Sequence, residues 1–145
     1  MDPELWGLVQ SASVETLLRK ASAGEGVPVR IFPDVADILS REEPPGGLVL
    51  AIDGAGRFKS YLTILKRLQR NFFGFDAIVL GPSKSSETII RERALGVDRY
   101  MAVPVRENEF SAALAESAGN KSKAARVLGI SRQTLREKIK LYTIE

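Results

Sequence analysis

Leu48-Val49-Leu50-Ala51-Ile52, followed by Asp53-Gly54-Ala55-Gly56, is the stretch on which the reading of the fold turns. Five consecutive apolar residues, without the polar alternation of a half-exposed strand, mark a strand covered on both faces, as in parallel sheets roofed by helices. The same pattern recurs outward in both directions. Toward the N-terminus, Leu5 to Gln10 is a short apolar run, and Val14, Leu17, Leu18 and Ala21 follow at helical spacing. Val27 to Phe32 is rich in β-formers, Pro33-Asp34 opens a short helix with Val35, Ile38 and Leu39, and Pro44 to Gly47 form a turn. Toward the C-terminus, Phe58 to Phe72 is a long amphipathic helix with Phe58, Tyr61, Leu62, Leu65, Leu68 and Phe72 on one stripe. Asp76 to Leu80 is another buried strand, Ser86 to Leu95 a helix ended by Gly96, and Tyr100 to Val103 a fifth strand ended by Pro104.

Strands separated by helices of about ten residues or more predict repeated βαβ units. The expected fold is α/β: a five-stranded, parallel, doubly wound sheet over residues 1–106, then an all-α region over 107–145. In that region Glu107 to Ala118 reads as one helix, Lys121 to Leu128 as a second and Ser131 to Tyr142 as a third. No linker separates the parts, so the helix 107–118 covers the sheet, belongs to the C-terminal region, or does both.

Composition narrows the function classes. Among 145 residues, 44% hydrophobic and 27% charged, there is no cysteine and no histidine. Disulfide frameworks and thiolate metal sites are excluded, as is the commonest general base and zinc ligand. No metal or cofactor is expected, and a binding protein is favoured over an enzyme. The opening Met1-Asp2-Pro3-Glu4 has no basic region leading into an apolar one, and no run reaches the roughly 18 apolar residues of a membrane span. A cytoplasmic, nucleoid-associated protein without membrane contact is the expectation. The formal net charge of +3 divides unevenly: residues 1–119 carry −2, while residues 120–145 carry seven cations against Glu137 and Glu145, net +5. A basic tip on a mildly acidic body points to nucleic acid.

Within the tip, Ala124 and Ala125 allow close helix approach, Gly129 supplies a turn, and Ile130 is an interior plug. Ser131 is placed to cap the next helix, along which Leu135, Ile139 and Tyr142 form an inward stripe. Arg132, Gln133, Arg136 and Lys140 are left outward. This is a helix-turn-helix arrangement, whose second helix places its first residues, here Ser131, Arg132, Gln133 and Thr134, against base edges in the major groove of double-stranded DNA.

Residues from about 108 to 143 resemble the Fis-type helix-turn-helix that closes bacterial regulators of the NtrC family. The resemblance is carried by Gly119-Asn120, Lys123-Ala124-Ala125-Arg126, Leu128-Gly129-Ile130-Ser131, Arg132-x-Thr134-Leu135 and the closing Lys140-x-Tyr142-x-Ile144. It implies phosphate contacts at Asn120 and Ser122, beside Lys121, and recognition-helix roles for Arg132, Thr134 and Arg136. It also implies a homodimer, with the helix 107–118 as the candidate contact. Glu137 departs from the family's commoner basic residue, leaving open a weakened backbone contact or an acceptor for a cytosine amine.

The body resembles a response-regulator receiver domain, a flavodoxin-like fold, over roughly residues 5–118. Phosphoryl transfer to a receiver needs Mg²⁺-binding acids after the first strand, an aspartate after the third, a hydroxyl after the fourth and a lysine after the fifth. Here Gln10 and Ser11 stand for the acids, Gly81 for the hydroxyl and Val103 for the lysine. Only Asp53 remains, as a vestigial phosphoacceptor or, by the favoured reading, a turn residue before Gly54. A pseudo-receiver that takes no phosphate and serves dimerisation, a protein partner or an effector is expected. Gly81-Pro82-Ser83-Lys84-Ser85 lies at the sheet edge where ligands of α/β folds sit, which admits a small anionic effector beside the default of loop packing. Asp53-Gly54-Ala55-Gly56 lacks the spacing of a dinucleotide-binding loop and reads as a turn. Lys59, Lys66, Arg67 and Arg70 read as a solvated helix face. The alternative function is a protein-interaction module, or antagonist, that captures another regulator rather than acting through DNA.

Overall fold

The chain's structure, a computed structural model, describes residues 3–40, 48–71 and 75–128. Its centre is the apolar run quoted first: β3 (Leu48–Asp53) is buried at every position. It lies between β1 (Glu4–Leu8) and β4 (Asp76–Gly81), with β2 (Val29–Phe32) and β5 (Arg99–Ala102) at the edges, in the parallel order β2-β1-β3-β4-β5. Strand periodicity sends alternate β3 side chains to opposite faces. Leu48, Leu50 and Ile52 join one core with Phe32, Leu65 and Val79; Val49 and Ala51 join the other with Leu18, Leu80 and Phe110. The α/β expectation is met, with strand ends differing by at most two residues from the sequence reading.

Each helix has a local cause. α1 (Ala12–Glu25) starts at Ser11, whose hydroxyl accepts from the Val14 N–H, and ends at Gly26 in the left-handed region at φ 67°. Asp34 caps α2 (Val35–Leu39), and Ser85 caps α4 (Ser86–Ala94) through the Thr88 N–H. A 3-10 turn, Gly56–Phe58, precedes α3 (Tyr61–Asn71), so the amphipathic run 58–72 is a turn plus a shorter helix. The turn assigned to Pro44 to Gly47, and Phe72, lie outside the described residues.

α5 (Glu107–Leu128) corrects the division of the C-terminal region. The segments 107–118 and 121–128 were expected as separate helices, yet one helix runs through Gly119 and Asn120. Glycine costs about 1 kcal/mol in a helix and asparagine about half that, and neither removes a backbone donor as proline would. Alanines, lysines and leucine on either side favour continuation.

Candidate functional site

Two places bear on function: the carboxyl edge of the sheet and the helix that leaves it. At the first, strand order reverses between β1 and β3, which sets the β1–α1 loop beside the end of β3. Asp53 is the last residue of β3 rather than a turn residue, and only 4% exposed. Its Oδ2 accepts the backbone N–H of Ser11 at 3.0 Å and that of Gln10 at 3.3 Å. The residues standing where a receiver's acids would be therefore hand their backbone donors to the aspartate. The Gln10 side chain donates to the Ala55 carbonyl at 2.7 Å and lies against Gly56, where a Cβ would meet its amide nitrogen at 2.2 Å. The glycine-rich loop is thus filled from within the molecule. Among the described residues no group of three or more His, Cys, Asp or Glu could hold a metal ion.

Next to it, Gly81 leaves room that an aromatic side chain occupies. A Cβ on Gly81 would lie 2.6 Å from the Tyr100 hydroxyl, which donates to the Pro82 carbonyl at 2.5 Å. Val103, at the lysine position, is 42% exposed and carries no charge to offer a phosphoryl group.

Lys84 is committed inside the fold. Its ammonium donates to Glu92 Oε2 at 2.8 Å and to the Tyr61 hydroxyl, while Tyr61 donates to Glu92 Oε1 at 2.5 Å. The same ammonium sits 4.8 Å from the Tyr61 ring centroid and 5.3 Å from that of Tyr100. Burial and the bond to Glu92 push the Tyr61 hydroxyl from 10.0 up to about 12. Burial acts against the Lys84 charge, but its bonds to Glu92 and Tyr61 outweigh it and hold the ammonium above its ordinary value. Burial also raises the Tyr100 hydroxyl. An anion at Lys84 would therefore compete with Glu92. This knot of four side chains from α3, the β4–α4 loop, α4 and β5 was not readable in sequence, because its partners are up to 39 residues apart.

The second place is α5. Phe110, Ala113, Leu114 and Ala118 are buried, and the helix packs on α1 and β3. Its exposed side carries Ala112, Ala115 and Glu116. Of the alternatives left open for residues 107–118, the helix covers the sheet with its apolar stripe, which leaves Ala112, Ala115 and Glu116 as the side available to a second copy. Beyond Ala118 the helix continues to Leu128. Asn120, Lys121 and Ser122 are on it, their side chains outside the described residues. Ser131, Arg132, Gln133, Thr134, Arg136 and Lys140 all lie outside the described residues.

Solved structures of receiver domains share the body's fold. A response regulator from Thermotoga maritima is 16% identical, with a TM-score of 0.69, covering 82% of this chain and 99% of that one. The receiver domain of nitrogen regulatory protein C is 18% identical at a TM-score of 0.65, covering 82% of this chain and 96% of that one. A Burkholderia thailandensis protein assigned to pilus assembly, CpaE, is 22% identical at a TM-score of 0.64, covering 82% and 99%. At these identities the likeness establishes the fold. No curated protein matches the chain. In sequence, residues 110–142 match the bacterial regulatory protein, Fis family. The chain therefore joins a receiver-like α/β body to a Fis-family helix-turn-helix region, and the match begins at Phe110, a residue of the body's core.

Proposed function

We propose that this chain is a dimeric DNA-binding transcriptional regulator whose receiver-like body takes no phosphate and instead holds a partner or effector. The single observation that carries the reading is α5: one helix that begins in the core of the sheet domain and runs on into the Fis-family region. Ser131, Arg132, Gln133, Thr134 and Arg136 would read base edges in the major groove, with Asn120, Lys121, Ser122 and Lys140 on phosphates. Asp53 supports the non-phosphorylated part, since its buried carboxylate already serves two backbone donors. The domains would then be 1–106 and 107–145, with the helix 107–118 common to both.

The test is selection of bound fragments from genomic DNA, followed by affinity measurement with the wild type and Arg132→Ala. A small set of related pseudo-palindromic sites, lost in the variant, is the expected result. No enrichment over bulk DNA, or enrichment untouched by Arg132→Ala, would overturn it.

A further inference from the structure

The body's charge is as unevenly spread as that of the whole chain. Residues 54–75 hold Arg57, Lys59, Lys66, Arg67 and Arg70 and no acid, net +5. Residues 120–145 are also +5, whereas residues 1–53 and 76–119 together hold nine Lys+Arg against sixteen Asp+Glu, net −7. Elsewhere on the body Arg19, Arg30, Lys84 and Arg99 each face a carboxylate within 3 Å. Lys59, just ahead of α3, and Lys66 and Arg70 on it are exposed and form no salt bridge among the described residues, as is also true of Lys20, Arg91 and Arg93; what sets the α3 segment apart is that it holds no acid. Lys66 and Arg70 are one turn apart on one side of α3, and Lys59 lies just ahead of the helix, after the 3-10 turn.

Topology places these cations beside the departing helix. α3 returns the chain from the carboxyl end of β3 to the start of the parallel strand β4, so Lys66 and Arg70 lie toward the amino edge of the sheet. α5 runs toward the same edge, because Glu116 meets Arg99, the first residue of β5, at 2.7 Å. It then continues ten residues past Ala118, about 15 Å. α3, and α5 on which the second basic segment begins, are thus directed to one edge, from opposite faces of the sheet.

We propose that the outer face of α3, through Lys66 and Arg70, with Lys59 just ahead of the helix, is a second DNA-contacting surface that holds the phosphate backbone beside the site bound by the C-terminal region. The proposal rests on the DNA-binding reading above. Duplex DNA carries one charge per about 1.7 Å of axis, so three exposed cations on this stretch can each meet a phosphate. A protein partner would want apolar or aromatic anchors amid the charges. Among the described residues the exposed large hydrophobic ones are Ile90, Leu95 and Val103, and none of these is on α3.

The experiment is fluorescence anisotropy of the full chain on a mixed-sequence duplex of about 40 base pairs, over a range of salt, comparing wild type, the triple variant Lys59→Gln/Lys66→Gln/Arg70→Gln, and Arg132→Ala/Arg136→Ala. The triple variant should weaken binding about tenfold or more, make the log-log salt slope shallower by about 2 to 3 per bound chain, and leave thermal unfolding unchanged. An unchanged slope in the triple variant, with binding lost in the arginine pair, overturns the α3 surface and leaves the tip reading intact; the stripe would then serve an acidic protein or solvent. A wild type that binds no duplex overturns both. Loss in the triple variant but not in the arginine pair supports the α3 surface and overturns the tip.

Discussion

Asp53 separates two chemistries that a single letter in the sequence cannot. A phosphoacceptor needs an accessible carboxylate with cationic neighbours, whereas this one is buried and accepts from Gln10 and Ser11. Incubation with a small phosphodonor should leave the intact mass unchanged; a gain of about 80 Da that disappears in Asp53→Ala would refute the assignment. The same variant should cost about 1–3 kcal/mol, read by denaturant titration, because it orphans two backbone donors; Asp53→Asn, which keeps an acceptor oxygen, should cost less. Tyr61 gives a pH prediction of definite sign. Its hydroxyl is raised from 10.0 to about 12, so the folded state favours the neutral form. The stability this contributes is complete below pH 10 and lost as pH climbs through about 12, and Lys84, also raised, acts in the same direction. Phenolate absorbance should show Tyr61 ionising late, near pH 12, beside Tyr100, which burial also raises, with unfolding following. In Tyr61→Phe that late component should vanish; its persistence would place the raised hydroxyl elsewhere.

At the scale of elements, α5 is the part whose behaviour most depends on being continuous. Its first three turns anchor in the core through Phe110 and Leu114, so Phe110→Ala should cost about 3–5 kcal/mol and unfold the body with it. Gly119→Pro interrupts the helix just past Ala118, which is buried on the body. Thermal unfolding of the body should move little, while DNA affinity falls at least tenfold, since the two recognition helices of a dimer would lose their fixed separation. Retained affinity in Gly119→Pro would mean that the tip works as an independent module. The same helix marks what sequence could and could not convey. The strands were legible because an unbroken run such as Leu48 to Ile52 admits few other fates in a chain this regular. The caps at Asp34 and Gly96 were legible because their physics is local. The join at Gly119-Asn120 was not: its penalty of about 1 to 2 kcal/mol is small enough for the flanking residues to override. Nor was the use of the 107–118 stripe, since an apolar face on a helix states that something covers it without stating what. The Lys84 knot was invisible for the same reason, being made of contacts between distant segments.

For the whole molecule, the remaining question is how one recognition helix per chain becomes a specific regulator. A single helix reads only a few base pairs, each worth about 1–3 kcal/mol of discrimination, too little against a genome of competing sites. Two copies related by a two-fold axis double that reading and fix a half-site spacing near one turn of DNA, about 34–36 Å. Because the apolar stripe of α5 lies on its own body, a contact between two such copies would use a side other than that stripe, and the spacing would be set by how rigidly α5 leaves the sheet. Sedimentation should therefore give a dimer on an operator recovered from genomic fragments; a monomer both free and bound would end the proposal. The spacing adds a sharper check. Inserting about 5 base pairs between the half-sites turns one recognition helix to the wrong side of the duplex and should cost at least tenfold in affinity, whereas inserting about 10 restores the facing and should recover part of it. Equal affinity for both insertions would mean that the copies bind without a fixed separation, and a helix shared between body and tip would then have no purpose in setting one.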